Sequence, residues 1–287
     1  MFNRQSVLLE ILRQAGRPVE KLELVKWAFL VRHESESEGG SSFYDFVPYH
    51  HGPHSFALAR EMESLTAVGH VRETESNWEL GEIAADPSKL PKAIVQDIKG
   101  KIGNLSKKPV NELSDYVYDK YPAFTVNSQR QMPAPRPTAR PQVYTAGYEG
   151  LQIDKFLNRL VQNGIEQLLD VRSNPIARRF GFHKSTLERL CGALNIRYSH
   201  IPELGIKSEE RRSLQTTADY MTLFDRYETA TLVDQRLIVE RTASMVAERP
   251  SVLVCMEADP CFCHRSRLAR DVAHLTSLPV VHLEHDL

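Results

Sequence analysis

The sequence predicts an α/β protein: a doubly wound, mainly parallel sheet in the C-terminal half, preceded by a mainly α unit. Two observations predict it. From residue 142 onward, short apolar runs at 143–145, 165–171, 196–201, 251–256 and 279–284 alternate with stretches in helical rhythm, the signature of successive βα units around about five strands. Before residue 125, apolar positions recur mostly at helical spacing. Between the halves, Pro133, Pro135, Pro137 and Pro141 stand among Arg130, Arg136 and Arg140, and no acid occurs from Pro122 to Tyr148. That composition reads as a semi-extended basic linker, so the expected division is 1–124, 125–141 and 142–287. A spacer is its plain function. An arm for a nucleic-acid backbone is the alternative that the arginines permit.

In order, Val7, Leu8, Ile11 and Leu12 form a helical stripe over 4–15 that stops at Gly16. Pro18 opens a second helix over 19–31 with Leu22, Val25, Trp27 and Phe29. After a polar loop (33–42), residues 43–49 alternate like a strand. His50-His51-Gly52-Pro53-His54-Ser55 reads as a turn whose histidines are solvated rather than metal-bound. A third helix over 56–68 precedes a hairpin at 71–80, and 88–124 holds two more helices. Three helices and a wing suggest a winged helix-turn-helix. The third helix offers Arg60 as its sole cation, so DNA binding is an option of this fold, not a consequence of it.

The Tyr49-x-x-Gly52-Pro53-x-Ser55 turn, Leu65 and Gly69 after it, and Asn111-Glu112-Leu113-Ser114-Asp115-Tyr116-Val117-Tyr118 resemble the Panacea antitoxin-like domain. That resemblance covers residues 1–124 and implies a place among toxin–antitoxin and regulatory proteins.

The chain has 287 residues and a formal charge of −1, enough length for two cores and no global field drawing it to nucleic acid or membrane. No apolar run approaches the ~20 residues of a membrane span. Met1-Phe2-Asn3-Arg4 leads into an amphipathic helix and not a signal segment, so a cytoplasmic protein is expected. Of four cysteines, Cys255, Cys261 and Cys263 fall within nine residues. In a reducing compartment that clustering fits metal binding, catalysis or packing better than a disulfide. Cys191, mid-helix, and Cys255, inside its apolar strand, read as core.

The second half is organised around Ser251-Val252-Leu253-Val254-Cys255-Met256-Glu257-Ala258-Asp259-Pro260-Cys261-Phe262-Cys263-His264-Arg265, a buried strand, an acidic turn and a helix start. A strand end facing a helix N-terminus is where α/β sheets bind ligands. Thr145-x-Gly147-Tyr148, Leu169-Asp170-Val171-Arg172-x-x-Pro175, Tyr198-x-His200 with Leu204-Gly205, and Cys255-x-Glu257 with Cys263-His264-Arg265 resemble the family catalogued as domain of unknown function 488. The resemblance implies a fold and a candidate site more than an activity. Tyr148-Glu149 departs from the His-Ser pair that many members carry there.

Parallel strands end on one edge, which would gather these groups around one crevice. Asp170, Glu257, Cys263 and His264 are the candidate catalytic groups. Tyr148, Arg172, Arg178, Tyr198, His200 and Arg265 are the candidate substrate-binding groups. For Asp170, a general base and a strand-end ion pair both stand open. Arg172 and Arg265 either grip phosphate or pair with Asp170 or Glu257. Cys263, at a helix N-terminus beside His264 and Arg265, has the surroundings of a low-pKa thiol. Tyr148, Phe180, Phe182 and Tyr198 offer an aromatic pocket for a flipped base. The Gly147–Gly150 loop lacks dinucleotide spacing and no cofactor is expected. No metal ligand is assigned because Cys-x-Cys-His is cramped for a tetrahedron, although a need for a divalent ion stays open. The expected function is hydrolysis of an N-glycosidic or phosphodiester bond in DNA, of glycosylase or nuclease type, in antiviral defence. The alternative is a non-catalytic, ligand-sensing DNA-binding regulator or antitoxin-like protein.

Overall fold

The computed structural model of the chain describes residues 3–83, 90–130, 133–211 and 214–283, and these fall into two compact units, 1–135 and 136–287. In the first unit, α1 (Asn3–Ala15) and α2 (Lys21–Glu34) flank the short β1 (Val19–Glu20). A hairpin of β2 (Val47–Tyr49) and β3 (Gly52–His54) precedes α3 (Phe56–Ala67), which Ser55 caps by accepting the Leu58 N–H. The wing, β4 (Val71–Glu73) and β5 (Asn77–Leu80), pairs back to β1 in the order β1-β5-β4. Then come α4 (Lys92–Leu105) and α5 (Val110–Lys120). The helices, wing and third strand of a winged helix are therefore present; residues 88 and 89 of the expected helical stretch lie outside the described residues.

Two local expectations fail there. Residues 43–46 form no strand, the adjacent Phe43 and Tyr44 both being buried along with Phe46, and strand pairing begins at Val47. His54 sits in a strand, and burial lowers its pKa to about 4, unlike a solvated turn histidine. The linker also differs. Arg130 pairs with Asp115, and Arg136 donates to the carbonyls of Leu194 and Ile165. A Cβ on Gly164 would lie 2.6 Å from Pro137 O and 2.5 Å from Ala139 N. Residues 136–139 pack within the second unit, so Arg136 is not part of a free basic arm.

The second unit runs β6 (Val143–Gly147), α6 (Ile153–Gln162), β7 (Gln167–Asp170), α7 (Lys184–Ala193), β8 (Arg197–His200), α8 (Thr217–Arg226), α9 (Leu232–Asp234), α10 (Arg236–Glu248), β9 (Ser251–Cys255), α11 (Arg265–Thr276) and β10 (Val280–His282). The last expected strand extended to residue 284, which lies outside the described residues. All five strands are parallel, in the order β10-β6-β9-β7-β8. The chain moves one way across the sheet from β6 to β8, then reverses to reach β9 and β10. Right-handed crossovers place α6 and α7 on one face and α8, α10 and α11 on the other. Alternate sheet residues Val143, Leu169, Val171, Leu253 and Cys255 share a core with Phe224, Val239, Ala243, Leu268 and Val272 of the second face. At β9 the following helix goes to the opposite face from those after its neighbours β6 and β7. The C-terminal end of β9 is thus the switch point, where an α/β sheet opens its crevice.

Candidate functional site

Two polar centres form at this edge, one on each face. Strand alternation decides which residue joins which. Asp170 is aligned with Val254, and Cys255 with Gly147, so the Asp170 and Cys255 side chains leave the sheet on opposite sides.

On the α6/α7 side, Asp170 is wholly buried. Its Oδ1 accepts from Arg172 Nε at 2.7 Å and from Arg172 N at 3.2 Å; its Oδ2 accepts from Arg172 Nη2 at 2.5 Å and from Tyr198 Oη at 2.7 Å. Arg172 Nη1 donates to Tyr148 Oη at 2.8 Å and Phe182 O at 2.9 Å. His200 Nε2 donates to the Arg172 carbonyl at 2.8 Å. Every oxygen lone pair and every guanidinium edge has a partner inside the unit, so of the two readings of Asp170 and Arg172 the geometry takes the ion pair. Tyr148 stacks on Phe182 with centroids 4.1 Å apart and planes at 11°. That spacing is direct ring contact, so no base enters between these two rings. Arg178 is exposed, away from both centres' contacts.

On the α10/α11 side, the Cys255–Arg265 loop folds over the end of β9. Cys263 is extended (φ −133°, ψ 134°) and His264 turns into α11 (φ −59°, ψ −23°). The backbone bend brings these adjacent side chains to one centre, so their adjacency does not cramp them apart. Cys255 Sγ and Cys263 Sγ lie 3.8 and 4.0 Å from His264 Nδ1. Both sulfurs also contact Glu257 Oε2, at 3.1 and 3.0 Å. His264 Nε2 faces the Val171 carbonyl at 3.1 Å, an acceptor, so Nε2 carries the proton and Nδ1 presents its lone pair inward. Tyr227 stands edge-on to that ring at 5.3 Å, delivered by a π-helical turn (Tyr227–Thr231) and tied to Leu204 O at 2.7 Å.

Arg211 completes the centre. Its Nη1 donates to Glu257 Oε1 and its Nη2 to His264 Nδ1 at 2.9 Å. Sequence reasoning missed it: Arg211 lies in a polar Glu-Glu-Arg run at the start of the long, interrupted helical stretch expected over 207–248, 46 residues from Glu257. Arg265 is not a phosphate grip. It is buried, and its Nη1 and Nη2 donate to the carbonyls of Glu257 and Ala258 at 2.5 and 3.0 Å, clamping the loop. Glu149 Oε2 holds the same loop by accepting the Ala258 N–H at 3.0 Å. Cys261 is exposed and outside the cluster, and Cys191 is core.

Burial raises the Glu257 carboxyl above the ordinary range, with the nearby Cys255 adding to it against Arg211. A hydrogen bond from Cys263, with His264 and Arg211 close by, holds the Cys255 thiol well below its usual value, and burial holds Cys263 well above. The side chains of Glu257 and Arg211 remain 17% and 30% exposed, whereas Cys255, Cys263 and His264 are at 2% or less. The centre is therefore a buried thiol–imidazole floor with an ion-paired carboxylate at its mouth. Among the described residues, Cys255, Cys263 and His264 are grouped closely enough that they could hold a metal ion.

Residues 152–272 match the family described as Domain of unknown function DUF488, which agrees with the resemblance of the C-terminal part. No curated protein and no solved structure matches the chain. No helix among the described residues is long and apolar enough to cross a membrane.

Proposed function

We propose that the α/β unit is a hydrolase for an N-glycosidic bond of a nucleotide or modified base in DNA, with Glu257 as its acid–base group. The observation that carries this reading is the setting of Glu257: oriented by Arg211, backed by buried groups, and open enough at the β9 switch point to reach a substrate. Asp170 shares none of that access. In the reaction Glu257 takes a proton from water, whose hydroxyl adds to the anomeric carbon. The C–N bond breaks, and the proton passes to the departing base nitrogen. Arg211 steadies negative charge as it develops. Support for a DNA substrate comes from the winged-helix arrangement of the first unit and its resemblance to the Panacea antitoxin-like domain; the antiviral setting belongs to the same proposal. The paired Arg130 and Arg136 leave the linker little part in it.

The test is incubation of the full chain with plain and heavily modified phage DNA, with and without divalent metal, read by gel and by mass spectrometry. Released free base supports the reading. Cut strands without base release replace it with a nuclease, and binding with no product under any metal condition replaces it with a regulator.

A further inference from the structure

We propose that Cys255 Sγ, Cys263 Sγ and His264 Nδ1 bind one zinc ion. The three atoms lie within 4.8 Å of one another, with sulfur–nitrogen separations of 3.8 and 4.0 Å. Usual zinc bond lengths in a tetrahedron put sulfur and nitrogen about 3.6 Å apart, so closing on an ion needs only small inward shifts. All three donors stand on rigid elements: Cys255 ends β9, and Cys263 and His264 lead into α11.

A second, independent feature is the support behind the ligand. A metal-binding histidine nearly always donates its other ring N–H to a carbonyl or carboxylate, which fixes tautomer and ring orientation. His264 Nε2 does this to Val171 O at 3.1 Å, the residue just past β7. Two thiolates and an imidazole suit zinc rather than magnesium or calcium, which prefer oxygen. Three protein ligands leave the fourth position to water, the pattern of catalytic rather than closed structural sites. Glu257 Oε2, close to both sulfurs, stands beside that position.

Binding has two consequences in this chain. Arg211 Nη2 must release Nδ1 and keep its hold on Glu257 through Nη1. Both sulfurs must bind as thiolates, so binding releases the remaining thiol proton to solvent. The inference goes beyond the hydrolase reading, since the ligand geometry stands whatever the substrate proves to be.

The experiment takes the full chain, reduced and stripped with a chelator, and titrates it with cobalt(II) and then zinc(II). One cobalt per chain is expected, with a near-ultraviolet thiolate charge-transfer band and the visible bands of tetrahedral cobalt, all bleached by zinc. Cys255→Ser and Cys263→Ser should each lose the band, while Cys261→Ser and Glu257→Gln keep it. A substoichiometric or octahedral cobalt spectrum in the wild type overturns the site, as does a band that depends on Cys261. If the Cys255 and Cys263 variants do not fold, the wild-type spectrum and the Cys261→Ser control still decide. Stoichiometric cobalt in a protein that yields no hydrolytic product keeps the metal site and removes only the hydrolase reading.

Discussion

Asp170→Asn should destabilise the α/β unit strongly while leaving the first unit untouched. The carboxylate is fully buried and the Arg172 side chain is 6% exposed, so water cannot replace the lost charge. After the change, the guanidinium keeps the oxygens of Tyr148 and Phe182 but has no counter-ion. Breaking a buried pair on one side costs about 3–5 kcal/mol, and the remaining amide oxygen places this variant toward the low end. For a unit of this size about 3 kcal/mol corresponds to a melting shift of roughly 10 °C. The chain supplies its own control, because its two tryptophans, Trp27 and Trp78, both lie in the first unit. Tryptophan fluorescence should therefore be unmoved, while calorimetry and amide exchange across β6, β7 and β9 report the loss. Replacing both partners by apolar residues, Asp170→Leu with Arg172→Met, should recover much of it. An Asp170→Asn protein with unchanged melting and exchange would refute the structural assignment and return Asp170 to the list of catalytic groups.

Three further outcomes follow from the same geometry. Lys26 is buried, with its ammonium on the His51 carbonyl, and burial, aided by Arg130, lowers its pKa to about 8. Between about 8 and about 10.5 the unfolded chain holds the proton that the folded chain has lost, so stability rises with pH there. The gain by about pH 10 is about 2–3 kcal/mol, read as a urea midpoint by tryptophan fluorescence. Comparison with Lys26→Met isolates it from Tyr44 and Tyr121, whose raised values act in the opposite sense; equal slopes in both proteins would contradict it. Gly147→Ala would set a Cβ 1.9 Å from the Glu257 carbonyl oxygen, so the loop must move, and turnover should fall about 100-fold; unchanged kcat would show that loop position is unimportant. Arg265→Met removes two charged hydrogen bonds to the loop and should cost roughly 2–3 kcal/mol, with faster amide exchange over the loop between β9 and α11. Unaltered exchange would count against the clamp.

The strands and helices of the second unit were legible because each parallel strand is a short apolar run and each helix keeps its own period. Glu257, Cys263 and His264 were legible as site residues too, close together at a strand end, whereas Cys255 read as core because it lies inside an apolar strand. What the sequence hid was the side of the sheet. Asp170 and Cys255 both end strands, yet a one-residue offset in register sends them to opposite faces, dividing one expected crevice into two centres. Arg211 was hidden because its partners lie far along the chain, and a charged run in a polar, interrupted stretch does not point to a site. Arg265 read as an anion grip from its helix N-terminus, but the tight loop before it exposes carbonyls that capture the guanidinium first. The Tyr148–Phe182 contact likewise depends on long-range packing that no local pattern reports.

The most direct test of the central claim is to measure substrate binding and turnover side by side for Glu257→Gln. The amide keeps the size of the carboxylate and can still accept from Arg211, so affinity should stay within a few-fold while kcat falls by about 100- to 10,000-fold. Turnover that survives the substitution, or a loss confined to binding, would show that Glu257 is not the acid–base group and that the chemistry lies elsewhere.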